Sequence, residues 1–142
     1  MSQSAARAIC QFVPPFVRFL REGLAQVPIS PARFQVLEAL KLDGALSMVE
    51  LAERLTVTKR NITSLVDGLE KDGLVSRTPH PTDRRSTLVS LTTVGDSTFC
   101  SAAKIQHDHL AKLMEGLNDR QKDEMAQTLT YLTQKIQECS DT

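Results

Sequence analysis

Between Ser47 and Gly73 two helix start signals follow each other closely, leaving room for one short helix, a tight turn and a second helix. Ser47 with Glu50 three residues on reads as a capping box, in which hydroxyl and carboxylate each take a backbone N–H that a helix start leaves unpaired. Leu51, Ala52 and Leu55 give this first helix its apolar face. Thr58 is suited to cap the next helix, and Val57 and Ile62 are spaced to close over the cap as a hydrophobic staple. Ile62, Leu65, Val66 and Leu69 then recur at helical spacing and define one buried stripe. Opposite that stripe lie Arg60, Thr63, Ser64, Asp67 and Lys71, with Asn61 on the flank and Lys59 in the first turn. Gly73 ends the helix, because glycine takes a positive φ without steric cost. A helix anchored along one side and rich in hydrogen-bonding groups on the other has what entry into the major groove of DNA requires.

The next segment extends this pattern. Leu74 to Thr78 and Thr87 to Leu91 are rich in β-branched residues and read as two short strands. Between them Pro79-His80-Pro81-Thr82-Asp83-Arg84-Arg85-Ser86 is a turn-rich loop with two adjacent arginines. Two strands and a basic loop directly after a helix-turn-helix make a wing, whose tip can place arginine in the narrow minor groove. The expected fold class is mainly α with a small β-hairpin wing.

The ends of the chain read as helical. Ala5, Ile9, Phe12, Val13, Phe16, Leu20 and Leu24 keep helical spacing over residues 4–27, with Pro14-Pro15 expected to interrupt or kink that helix. Ser30-Pro31 opens the next helix, with Ile29 and Phe34 as a second staple. Phe34, Val36, Leu37 and Leu40 face inward, and Asp43-Gly44 closes it. After the wing, Thr92 caps a long helix punctuated by Val94, Phe99, Ala102, Ile105, Leu110, Leu113 and Leu117. Asn118 with Gln121 caps the last helix, where Met125, Leu129, Leu132, Ile136 and Cys139 form a heptad seam. That seam and the apolar stripe of the first helix exceed what one small domain needs. They imply a helical dimerisation region built from residues 4–27 and 96–140, flanking a winged helix-turn-helix part at 29–95, all within one domain spanning 1–142.

The net charge is zero, so distribution matters more than the sum. Residues 54–85 carry seven basic groups (Arg54, Lys59, Arg60, Lys71, Arg77, Arg84, Arg85) against four acidic, whereas residues 96–142 carry five against eight. Positive charge gathers where groove contacts are expected. Arg60, Asn61, Thr63 and Ser64 are candidates for base edges and nearby phosphates; Lys59 and Lys71 suit the DNA backbone, and Arg77 belongs to the same basic set. Asp67 would repel phosphate but could accept from a cytosine amino group.

The run Asp83-Arg84-Arg85-Ser86-Thr87-Leu88-Val89-Ser90-Leu91-Thr92, followed by Gly95, resembles the wing signature of the MarR family of bacterial transcriptional regulators. Glu50-Leu51-Ala52-Glu53-Arg54-Leu55 and Leu69-Glu70-Lys71-Asp72-Gly73-Leu74-Val75 resemble the family pattern too, and the likeness runs closely from Ile29 to Gly95. The resemblance implies a homodimer that binds a pseudopalindromic operator in double-stranded DNA. It makes Thr58 to Asp72 the recognition helix and Arg85 the minor-groove residue. It also gives Asp83 the part of fixing the wing's shape by pairing with basic neighbours. It further implies release by a small-molecule effector, often aromatic or anionic, or in some branches by oxidation of a cysteine. One departure stands out: Thr56 occupies the turn position where the family most often has Gly, and a β-branched residue is strained at positive φ.

Cys10 lies early in the first helix, where the peroxide-sensing branch of the family places its reactive thiol; an inert packed cysteine is the alternative. Cys100 and Cys139 are expected to be packing residues. The imidazoles of His107 and His109 point apart on a helix and cannot share a metal ion unaided. No phosphate loop, nucleophile elbow or paired carboxylates occur, so neither an enzyme nor a cofactor is implied. No stretch is long and apolar enough to span a membrane, and Arg7 does not precede a signal-peptide core. The expected location is the bacterial cytoplasm, at the nucleoid. A winged-helix protein-interaction module without DNA binding remains the rival from another class.

Overall fold

The computed structural model describes residues 2–27 and 29–140. They form, in chain order, α1 (Ser2–Leu24), α2 (Pro31–Asp43), β1 (Leu46–Ser47), α3 (Met48–Leu55), α4 (Lys59–Lys71), β2 (Val75–Pro79), β3 (Thr87–Leu91), α5 (Thr93–Leu113) and α6 (Asp119–Ser140). Two compact units divide within α5, between Gln106 and His107.

In the first unit the caps do what their sequences dictate. Ser30 Oγ accepts from the Arg33 amide at 3.2 Å, with Pro31 at the first helical position of α2. At α3 the box closes both ways, Glu50 N to Ser47 Oγ and Ser47 N to Glu50 Oε1, each at 3.1 Å. Hydrogen bonding of the Glu50 carboxylate to Ser47, through the backbone amide first and the side chain second, holds that carboxyl below its ordinary range. Thr58 caps α4 through the Asn61 amide at 3.2 Å. At the other end of α4, Gly73 adopts φ +76°. Leu74 N then reaches Leu69 O at 2.9 Å and Gly73 N reaches Glu70 O at 3.0 Å, the two bonds of a Schellman ending.

α2 is the central element. Val36 and Leu37 are both fully buried, joined by Phe34, Ala39 and Leu40, so this helix is covered on more than one side. Leu51 of α3 and Ile62, Val66 and Leu69 of α4 complete the core with Val75, Val89 and Ala102. Phe34 meets Phe99 of α5 with ring centroids 5.3 Å apart.

The sheet has three strands rather than the expected two, in the order β1-β3-β2 and all antiparallel. β1 pairs Leu46 with Val89 and Ser47 with Leu88, which ties the wing to the start of α3. β2 begins at Val75, one residue later than its β-branched run suggests, because Leu74 belongs to the ending of α4. Pro79 closes β2 on the sheet edge, where its missing N–H breaks no ladder.

Thr92 joins wing and α5. Its amide donates to Leu74 O at 3.1 Å, its hydroxyl donates to Gly73 O at 2.6 Å, and its Oγ1 accepts from Gly95 N at 2.9 Å. Gly95 packs so closely on this corner that a Cβ would stand 1.8 Å from Leu74 O. That position admits no side chain.

α1 continues as one helix through Pro14 and Pro15, so of the two expectations there, interruption or kink, the interruption does not occur. The absent N–H groups would have bonded the carbonyls of Cys10 and Gln11, and both residues are exposed, so water can serve those carbonyls instead. Cys100 and Cys139 are exposed rather than packed; Cys100 sits one turn beyond Asp96, on a side of α5 occupied by the Lys41–Asp96 pair. Val94 and Leu113, two of the apolar residues that punctuate α5, are 59% and 50% exposed.

The second unit contains the end of α5 and α6. Asn118 and Gln121 cap α6 reciprocally, at 3.0 and 2.8 Å. Met125, Leu129 and Ile136 of the heptad seam stand exposed along this helix.

Candidate nucleic-acid interface

The outward face of α4 has the composition its sequence predicts. Lys59, Arg60, Thr63, Ser64 and Asp67 line one open concavity, and Asn61 and Lys71 are exposed beside it. The Thr63 hydroxyl donates to Lys59 O at 2.8 Å, so its proton is committed to its own helix while its oxygen can still accept.

Asp67 is not an isolated acceptor. Arg77 of β2 reaches back to it in a direct ion pair and lies 3.8 Å from Glu70 Oε1. The Arg77 side chain is 28% exposed and its Nε is buried without a hydrogen-bond partner. Arg77 therefore clamps β2 to α4 and neutralises acidic charge on the outward face of that helix.

At the wing tip Asp83, Arg84, Arg85 and Ser86 form a β-turn closed by Ser86 N to Asp83 O at 3.1 Å. Arg84 and Arg85 occupy its two central, exposed positions. Asp83 fixes the turn, but through Oδ1 accepting the backbone amide of Arg85 at 3.0 Å rather than through a basic side chain.

Ion pairing separates the cations between α2 and the wing into two sets. Arg33 with Asp72, Lys41 with Asp96, Arg54 with Asp43 and Arg77 with Asp67 are structural pairs. The Asp96 carboxylate, by hydrogen bond and charge, raises the Lys41 pKa. Lys59, Arg60, Lys71, Arg84 and Arg85 have no carboxylate partner among the described residues, and all are exposed. Between α2 and the wing the unpaired positive charge lies at the two ends of α4 and at the wing tip; among the described residues Arg7, Arg18 and Arg21 of α1 and Lys104 of α5 also lack a carboxylate partner. Cys10 lies apart from this surface, exposed on α1.

Sequence reasoning missed the Arg77–Asp67 clamp and the part played by His80 in the loop. Nothing short-range signals the first, since its partners belong to different elements. The second had a signal, a polar acceptor just before the turn residues Pro81-Thr82-Asp83.

Helix-turn-helix, recognition helix and three-stranded wing with an arginine tip define the winged helix-turn-helix class of DNA-binding proteins. A sequence profile of the MarR family matches residues 29–87. The HTH-type transcriptional repressor MdtR of Bacillus subtilis is 30% identical over 99% of this chain and 86% of its own length. The multiple antibiotic resistance protein MarR of Escherichia coli is 35% identical over 84% of this chain and 81% of its own. A crystal structure of a mutant E. coli MarR complexed with operator DNA matches with a TM-score of 0.73 and 32% identity, over 92% of this chain and 91% of that one. The chain belongs to the MarR family of transcriptional regulators, which are not enzymes. Among the described residues no helix is long and apolar enough to cross a membrane.

Proposed function

We propose that two copies of this chain bind one pseudopalindromic operator in double-stranded DNA and repress transcription until a small-molecule effector releases them. The observation that carries this reading is the set of unpaired cations at the ends of α4 and on the wing tip. Arg60, Asn61, Thr63 and Ser64 read base edges and adjacent phosphates in the major groove. Lys59, Lys71 and Arg84 hold the backbone, and Arg85 enters the minor groove. Asp83 shapes the wing, while Asp67 and Arg77 act as a pair and meet DNA only if that pair opens. MdtR, a transcriptional repressor, and the complex of MarR with operator DNA support the same assignment for this relative.

The homodimer is supported by two exposed apolar faces, each on its own helix. Ile9, Phe12, Val13 and Val17 of α1 are 40–49% exposed, and Leu129 and Ile136 of α6 are 53% and 66% exposed. Monomers seldom leave that much contiguous apolar surface in water. Residues 4–27 and 96–140 then form the dimerisation part and residues 29–95 the DNA-binding part of one domain acting at the nucleoid in the cytoplasm.

For the effector, a concavity of about 550 Å³ lies between the end of α1 and the start of α2. Leu24, Val27 and Ile29 give it an apolar floor, and Arg21 and Arg33 stand at its edge. That combination suits an aromatic anion. Arg33 also holds Asp72 at the C-terminal end of α4, at 2.7 Å, so an anion competing for it would reach the recognition helix. The exposure of Cys10 favours oxidation as a second route of release.

Arg85→Ala is the discriminating variant. A regulator loses about 1–3 kcal/mol of specific DNA affinity. Unchanged affinity refutes the wing assignment, and no DNA binding by the wild type would favour a protein-interaction module.

A further inference from the structure

The wing loop is held by an imidazole. The His80 amide donates to Ser86 O at 3.1 Å, and His80 Nδ1 accepts the amides of Thr82 and Asp83 at 3.2 and 3.1 Å. With Arg85 N on Asp83 Oδ1 and Ser86 N on Asp83 O, the amides of residues 80, 82, 83, 85 and 86 are all engaged. Pro81 has no N–H, so Arg84 alone between His80 and Ser86 is left. Two of those five engaged amides depend on one nitrogen lone pair.

That lone pair exists only while Nδ1 is unprotonated, which places the ring's single proton on Nε2. A second proton would turn Nδ1 into a donor facing two amide donors, with the Thr82 hydroxyl oxygen at 3.3 Å as the acceptor left beside it. Histidine is the side chain whose charge ordinarily changes between pH 5 and 8. The charged groups around it are few. Glu50 of α3 interacts electrostatically with the ring, and Asp83, Arg84 and Arg85 belong to the loop itself. β1 and β3 carry no charged residue, and the one on β2, Arg77, is committed to α4.

We propose that His80 is the positioning residue of the wing, and that protonation at Nδ1 releases the loop carrying Arg84 and Arg85 and so weakens DNA binding. The DNA half of this inference rests on the regulator reading above; the loop half does not. Two substitutions separate the acceptor from the proton. His80→Asn puts an oxygen near the position of Nδ1 that accepts amides and does not titrate, whereas His80→Leu removes the acceptor.

The test uses the full chain. Imidazole 15N shifts and {1H}–15N NOEs of Thr82, Asp83, Arg84 and Arg85 are recorded at pH 7.5 and 5.5. Binding to a duplex from the DNA upstream of the protein's own coding region is measured at the same two values and constant salt. The wild type should show an acceptor Nδ1 and an ordered loop at pH 7.5, a mobile loop at pH 5.5, and about a tenfold loss of affinity between them, the size expected when one or two hydrogen bonds go. His80→Asn should remain ordered and bind alike at both; His80→Leu should be mobile and weak at both. An ordered loop in His80→Leu, or an acid loss in His80→Asn equal to that of the wild type, overturns the inference. A pH-dependent loop without any wild-type DNA binding would support the imidazole lock and refute its DNA half, together with the regulator reading.

Discussion

Gly95→Ala tests whether the corner between α4, the wing and α5 is as tight as the structure requires. The added methyl would start 1.8 Å from Leu74 O, and ordinary contact begins at 3.4 Å, so backbone must move by 1.6 Å. Leu74 O also accepts from Thr92 N, whose hydroxyl bonds Gly73 O and receives Gly95 N. The movement therefore opposes all three bonds that cap α5 and tie it to the end of α4. At about 1 kcal/mol net for each, the loss is about 3 kcal/mol. For a chain of this size that lowers Tm by about 10 °C. Thermal unfolding followed by circular dichroism, at one fixed protein concentration because association shifts Tm, reads this directly. Gly116→Ala is the control, since a Cβ there meets nothing within 4 Å. A Gly95→Ala protein that melts within a degree or two of that control would refute the close approach.

Thr56→Gly should stabilise the chain by about 1 kcal/mol, since Thr56 is the described non-glycine residue with positive φ, at +55°, and glycine removes that strain; denaturant unfolding showing no gain would contradict it. In the Arg77→Ala protein Asp67 and Glu70 face solvent unpaired, so DNA affinity should fall, and Arg77→Ala with Asp67→Ala should recover part of the loss. Strictly additive losses would mean that the clamp plays no part in binding. Glu50 has its folded-state pKa depressed from 4.5, so its contribution to stability is present above that value and fades as the pH falls through the lower, folded one. Unfolding between pH 5 and 2.5 should therefore be less steeply acid-dependent in Glu50→Gln, and equal slopes would rule out the assigned cap.

Helix ends were readable because caps are local. Ser30, Ser47, Thr58, Thr92 and Asn118 each act within three residues of themselves, and all five do what their side chains allow. The buried stripe of α4 followed from spacing alone. β1 escaped notice because two residues carry no alternation. Pro14 and Pro15 do not interrupt α1 because a long helix can lose two internal bonds where the orphaned carbonyls stay wet. The ion pairs were invisible for a different reason: Arg33–Asp72 and Lys41–Asp96 join residues brought together only by the packing of α2 against its neighbours. Thus the basic set was recognised, but its division into structural and unpaired cations was not. Thr56 shows a family turn kept with an unfavourable residue, adopting the left-handed geometry despite its branch.

The most direct measurement is a titration of the purified protein against DNA upstream of its own coding region, beside random DNA, across a salt series. The proposed dimer would bring ten unpaired cations to the DNA, five per chain on α4 and the wing, and should release many counterions. The account predicts tight binding to one palindrome with a slope of log K against log salt of about −5 or steeper. Equal, weak and nearly salt-independent binding to both DNAs would contradict it.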